Sequence, residues 1–156
     1  MLLLSNDEID RLLTMAECVD VLEEAYRELA AGRATDRRRS DSFVQTSRPG
    51  ALYSLKSMDG IAPAFGVGAV RINSDIVTWP TREGNLRREK VPAAPGGRWV
   101  GLVLLFSIET GEPLAIFPDG YLQRLRVGAT NGLAAKLGTA TRQAARKAGS
   151  LITART

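Results

Sequence analysis

The feature that most constrains this chain is one apolar run, Val100-Gly101-Leu102-Val103-Leu104-Leu105-Phe106, closed by Glu109-Thr110-Gly111-Glu112 and followed by Pro113 to Phe117. An uncharged run of this length between polar breakers reads as a strand buried on both faces, here from Trp99 to Ile108. The polar tetrapeptide is a turn, and Pro113 to Phe117 returns as the hairpin partner. The chain must therefore supply other elements to cover that hairpin.

Residues 2–4 read as a short strand. Ser5 with Glu8, and Thr14 with Glu17, have the spacing of capping boxes, in which hydroxyl and carboxylate satisfy each other's backbone amides. The first starts a short helical turn through Leu13 and the second the main helix, Met15 to Ala31. Cys18, Val21, Leu22, Ala25 and Leu29 recur on one side of it, and Gly32 is placed as its C-cap. Ser42 to Gln45, Ala51 to Met58 and Phe65 to Ile72 carry strand alternation. Asn73 to Gly97 is polar and rich in Pro, Gly and Arg, which predicts a long loop. Asp119 is positioned to cap a helix from Tyr121 to Leu137. Leu122, Leu125, Ala129 and Leu133 mark one side of that helix, and Gly128, Gly132, Ala134 and Ala135 leave room for another backbone. The order helix, strands, helix predicts α+β with a mainly antiparallel sheet and two principal helices.

Composition removes several functions. A single cysteine, Cys18, excludes an internal disulfide, and its place on the helix's apolar side reads as core. With no histidine there is no Ser-His-Asp triad and no ordinary zinc site, so no metal is expected. The net charge of +4 belongs to residues 139–156, where Arg142, Arg146, Lys147 and Arg155 face no acid; the remainder is balanced. A basic tail is not the basic folded face that nucleic acid requires, so no nucleic-acid partner is expected. No apolar run approaches the ~18 residues of a membrane span, and Met1-Leu2-Leu3-Leu4 is too short for a signal-peptide core; the cytoplasm is the expected compartment. Beyond Leu137 the periodic apolar face disappears. The expected division is a domain over 1–137 and an atypical basic tail over 138–156.

Three stretches resemble the ornithine cyclodeaminase/mu-crystallin family. They are Leu2-Leu3-Leu4-Ser5 through Ala30-Ala31-Gly32-Arg33, the hairpin from Gly101 through Ala115, and Asp119-Gly120-Tyr121-Leu122-Gln123-Arg124-Leu125-Arg126-Val127-Gly128-Ala129-Thr130-Asn131-Gly132-Leu133-Ala134-Ala135-Lys136. The resemblance implies the substrate-binding and dimerisation domain of a two-domain enzyme, whose second domain is a Rossmann unit holding NAD. That unit needs a Gly-x-Gly turn after a strand. Here the chain continues as Gly149-Ser150-Leu151-Ile152-Thr153-Ala154-Arg155-Thr156. A missing Rossmann domain, by truncation or frameshift, and a fragment inactive alone, are therefore expected.

The family reaction implied is conversion of L-ornithine to L-proline and ammonia with catalytic NAD. It requires a grip on the α-carboxylate, for which the planar arginine fork is suited. Arg39, ending Asp36-Arg37-Arg38-Arg39, aligns with the carboxylate-binding arginine; its other reading is a solvated charge run. Arg71 falls where many members carry a lysine. It keeps the charge but cannot serve as a proton-transfer base at neutral pH, and it reads otherwise as an outward strand residue. Lys56, on the neighbouring strand, is a candidate to supply the ammonium. Arg126 aligns with an arginine near substrate and cofactor, and Thr130, one turn on, is a weaker cofactor contact; both read otherwise as helix surface. Arg87-Arg88-Glu89-Lys90 is either a lid or a solvated loop. Two alternatives accompany the ornithine reading. One is an NAD(P)H-dependent cyclic imino acid reductase of the same family, which Arg71 favours. The other is a non-enzymatic ligand-binding protein of crystallin type. In each case the partners implied are a small amino or imino acid and, in the full-length form, a second copy of the chain.

Overall fold

Both predicted capping boxes form. Ser5 Oγ accepts the Glu8 amide at 3.3 Å while the Glu8 carboxylate accepts the Ser5 amide at 2.7 Å. Thr14 and Glu17 repeat the exchange at 3.3 and 2.9 Å. The computed structural model describes residues 1–91 and 100–153. In it the boxes open α1 (Asn6–Leu12) and α2 (Met15–Ala30). Gly32, at φ +71°, takes the left-handed position after α2 that a side chain would disfavour.

The strands are β1 (Leu2–Leu3), β2 (Thr35–Asp36), β3 (Ser40–Gln45), β4 (Ala51–Ala62), β5 (Val67–Thr78), β6 (Thr81–Arg82), β7 (Asn85–Leu86), β8 (Glu89–Val91), β9 (Val100–Ser107) and β10 (Pro113–Pro118). A 3₁₀ turn, Pro63–Phe65, joins β4 to β5, and α3 runs from Asp119 to Thr153. The main sheet has the order β1-β10-β9-β5-β4-β2, with β3 also on β4 and β8 also on β5; β6 and β7 form a separate ribbon. Every pairing in it is antiparallel except β1 with β10, so the sheet is mixed and the class is α+β with three helices.

The apolar stripe of α3, Leu125, Ala129 and Leu133, is buried, as is Ile9 of α1. The small residues of α3 do admit α2. A Cβ on Gly128 would come within 3.0 Å of Met15 Cε, and one on Gly132 within 3.6 Å of Val19. Lys136 of α3 closes the contact on Glu23 of α2 at 2.7 Å. Glu23 is held below the ordinary carboxylate value, first by that hydrogen bond and also by Arg27.

Five expectations are corrected. Asn73 to Val91 is not a loop: β5 continues to Thr78, and β6, β7 and β8 follow; positions 92–97 lie outside the described residues. The run Arg87-Arg88-Glu89-Lys90 accordingly ends in a strand laid on β5 rather than in a lid. The β9 strand is not buried on both faces, since Leu102 is 43 % exposed while Val103 is 7 % exposed; its predicted first residue, Trp99, is outside the described residues. Asp119 does not cap α3. It is drawn to Arg71, and the first-turn amide of Tyr121 is satisfied by Asn6 Oδ1 instead, at 3.0 Å. The helix also continues past Leu137 without a break, to Thr153.

Candidate functional site

Residues opposite one another on neighbouring strands share a face of the sheet. Three adjacent cross-strand rows place Lys56, Arg71, Asn73 and Asp75 on one face. The first row is Asp41, Lys56, Asn73 and Gly101, on β3, β4, β5 and β9. The row on one side is Phe43, Ser54 and Asp75. The row on the other side is Met58, Arg71, Val103 and Phe117.

Arg71 and Asp119 anchor this face to α3. Arg71 reaches the same Asp119 oxygen with Nε at 2.7 Å and Nη2 at 2.6 Å, and Asn73 Nδ2 donates to that oxygen at 3.2 Å. Both charged side chains are largely removed from water. Gly101 makes the approach possible, since a Cβ there would lie 2.6 Å from Asn73 Nδ2 and 3.1 Å from Asp119 Cβ.

Lys56 forms a buried ion pair with Asp75, whose other oxygen takes Lys90 Nζ at 2.9 Å. Burial alone pushes the Asp75 carboxyl up. The hydrogen bonds and charges of Lys56 and Lys90 outweigh that and hold it below the usual carboxylate value. Arg39 stands at the outer edge of the face, half exposed, and grips Asp41 at 2.7 and 3.0 Å. Because Asp41 is directly opposite Lys56, the Arg39 pair abuts the Lys56 pair.

Arg39, Lys56 and Arg71 are thus brought to one face. Arg126 and Thr130 are not joined to them by any contact among the described residues. Arg126 is exposed on α3, and the Thr130 hydroxyl donates back to the Arg126 carbonyl at 2.8 Å. Sequence reasoning missed Asn73, Asp75, Asp119 and Gly101 as site residues. The signal was present: Arg71, Asn73, Asp75 and Val77 keep the two-residue period of a strand through a stretch assigned to a loop.

The opposite face is open and mixed, with Tyr53, Ser57, Asp59 and Ser74 set among exposed apolar side chains. Val44, Leu55 and Leu102 are 60 %, 43 % and 43 % exposed, and Ile72 lies directly opposite Leu102. Among the described residues no group of acidic, cysteine or histidine side chains could hold a metal, and no helix is long and apolar enough to cross a membrane.

The α+β fold, with Lys56 and Arg71 on one sheet face and α3 starting beside them, is similar to part of an archaeal alanine dehydrogenase and of a Δ1-pyrroline-2-carboxylate reductase. The chain is similar in sequence and in fold to enzymes of the ornithine cyclodeaminase kind, although no family model matches it. It is 27 % identical over 136 residues to a Δ1-pyrroline-2-carboxylate reductase of Bacillus cereus and 28 % identical over 135 residues to an alanine dehydrogenase of Archaeoglobus fulgidus. These matches take in 87 % and 86 % of this chain but only 37 % and 36 % of the relatives, so it spans little more than a third of their length. Among solved structures, a probable ornithine cyclodeaminase from Bordetella pertussis matches with a TM-score of 0.63 at 26 % identity, over 86 % of this chain and 35 % of that one. An archaeal alanine dehydrogenase dimer with bound NAD gives 0.63 at 27 %, over 87 % and 36 %. The Thermococcus litoralis Δ1-pyrroline-2-carboxylate reductase with NADH and L-proline gives 0.60 at 25 %, over 85 % and 36 %.

Two of these structural relatives hold the dinucleotide NAD or NADH. The described residues of this chain do not fit it. A dinucleotide pyrophosphate is cradled where a parallel strand turns through glycines into a helix N-terminus. The one parallel pairing here, β1 with β10, is two residues long, and β1 leads into the Ser5 capping box rather than a glycine turn.

Proposed function

We propose that this chain is the substrate-carboxylate half of an NAD(H)-linked enzyme that interconverts a small α-amino acid and its α-imino acid. The observation that carries the reading is the gathering of cations on one face of the sheet. Lys56 and Arg71 stand in adjacent rows of one face with Arg39 at its edge, each held by an acid, while the reverse exposes Val44, Leu55 and Leu102. Cations pre-oriented by carboxylates lose little freedom when a ligand's acid group arrives. Residues 1–137 would form the substrate and dimerisation unit. The reverse, through Val44, Leu55 and Leu102, would seat a second copy of the chain, and α3 would lead towards a nucleotide-binding segment supplied by residues other than those described.

Within this class, reduction of a cyclic imino acid is placed ahead of ornithine cyclodeamination. Reduction at the α-carbon needs a carboxylate grip and a hydride, whereas cyclodeamination adds ring closure and loss of ammonia, with more proton transfers. Arg71 cannot carry protons at neutral pH, and the sequence relatives include a reductase of this type. Arg126 and Thr130 are retained as candidate contacts of the nicotinamide side.

Calorimetric titration of the purified chain tests the reading. L-Proline binds and L-prolinamide, which lacks the acid group, does not, while NAD alone gives no heat and L-ornithine with NAD releases no ammonia. Equal binding of acid and amide, or binding of neither at millimolar concentration, contradicts it.

A further inference from the structure

Ser54 is fully buried, and its hydroxyl has no hydrogen-bond partner among the described residues. A buried hydroxyl left unpaired costs about 1–3 kcal/mol, so such groups call for an explanation. Two residues along the same strand and on the same face is Lys56, 5 % exposed, whose ammonium has three protons and is matched to one acid, Asp75. Directly across from Ser54 is Asp75 itself. The arginines differ: Arg71 spends two of its nitrogens on Asp119, and Arg39 two on Asp41. Unspent buried donors therefore collect at Ser54 and Lys56.

We propose that Ser54 and Lys56 form the carboxylate subsite itself, with Asp75 as the residue that positions the ammonium and Lys90 at its rim. This rests on the reading of the cationic face given above and narrows it. The acid group of the ligand accepts from Lys56 Nζ and Ser54 Oγ. Asp75 holds the ammonium of Lys56 in place from the next strand. Its carboxyl is held below the ordinary value by the hydrogen bonds and charges of Lys56 and Lys90, against the opposing effect of burial, and so supplies a fixed counter-charge at neutral pH. Lys90, the most exposed of the three charged groups, marks the side open to solvent. The Arg71–Asp119 pair then has a different duty, fastening α3 to the sheet beside the bound ligand.

The test uses propionate, a bare monocarboxylate, and L-proline as probes of the whole chain labelled with ¹³C at lysine Cε. Propionate moves the Lys56 signal. Ser54→Ala, which removes only a hydroxyl with no partner to strand, weakens both probes by about tenfold while leaving the thermal melt unchanged or higher. Lys56→Met abolishes the propionate effect; should that variant unfold, Ser54→Ala and the Lys56 signal still decide. If L-proline binds but Lys56 is unmoved and Ser54→Ala binds as well as the parent, the subsite is elsewhere on the face and this assignment is overturned. If neither probe binds, the broader reading falls with it.

Discussion

Asn6, in the first turn of α1, accepts the backbone amide of Tyr121, in the first turn of α3, 115 residues further on. One side chain thus ties the N-terminal helix to the helix that begins at the cationic face. Asn6→Ala leaves that amide without its partner and should cost about 1 kcal/mol, the usual value of a lost helix cap. Urea denaturation followed by circular dichroism reads it as a lower midpoint with unchanged slope. An unchanged midpoint would mean that another group takes over the cap.

Gly101 is the point of closest approach between β9 and the Arg71–Asn73–Asp119 cluster. Its added methyl would meet the Asn73 amide nitrogen, Asp119 Cβ and, at 3.2 Å, the rigid Ile72 carbonyl. Gly101→Ala should therefore destabilise by about 1–3 kcal/mol, the cost of overpacking. Thermal unfolding of Gly101→Ala beside Gly138→Ala, a helical site with nothing within 4 Å, separates crowding from a general glycine effect.

Asp75 predicts an acid limb. Its folded pKa is lowered, so the unfolded chain binds the proton more readily and stability rises with pH across the interval between the two values. The contribution is complete above the unfolded value of about 3.9 and is lost as pH falls through the folded value. Asp75→Asn should flatten the stability curve below about pH 4, while leaving Lys56 and Lys90 to repel each other at neutral pH. Urea midpoints measured from pH 2 to 7 for both proteins give the comparison, and parallel curves would remove Asp75 as the source.

The exposed apolar side chains on the reverse of the sheet predict self-association. Leu102→Glu and Leu55→Glu place a charge at positions already 43 % exposed, so the fold of one subunit tolerates them. Each should raise the dimer dissociation constant by about tenfold or more. Sedimentation velocity over a concentration series resolves this, and a parent chain that stays monomeric at the highest concentration reached would refute the dimer surface.

Much of the fold was legible because it is specified locally. Ser5, Glu8, Thr14 and Glu17 fix two helix starts within four residues each, and Glu109 to Glu112 fixes a turn. The β9–β10 hairpin follows from those few positions. What sequence could not give is what depends on distant partners. The polarity of Asn73 and Asp75 argued for a loop, yet it is offset by Asp119 and by two lysines that only the register brings near. Asp119 had the right residue type for a cap, but Arg71 outcompetes the helix amides for its carboxylate, and Asn6 takes the vacant role. Leu102 was assigned to a core because apolar runs are usually buried, whereas here one side of the run faces outward. Of the candidate cations, Arg39, Lys56 and Arg71 converge because β3, β4 and β5 are adjacent. Arg126 and Thr130 stand apart on α3, where Arg126 was assigned by the family resemblance and Thr130 by its place one turn on, rather than by any local pattern.

The most direct test of the central claim is a crystal structure of the chain grown with saturating L-proline. The account predicts the ligand's carboxylate within hydrogen-bonding distance of a cation on the face that carries Arg39, Lys56 and Arg71. Density for the ligand on the Leu55–Leu102 face or between α2 and α3, or none at all in crystals whose solution counterpart shows no binding, would contradict it.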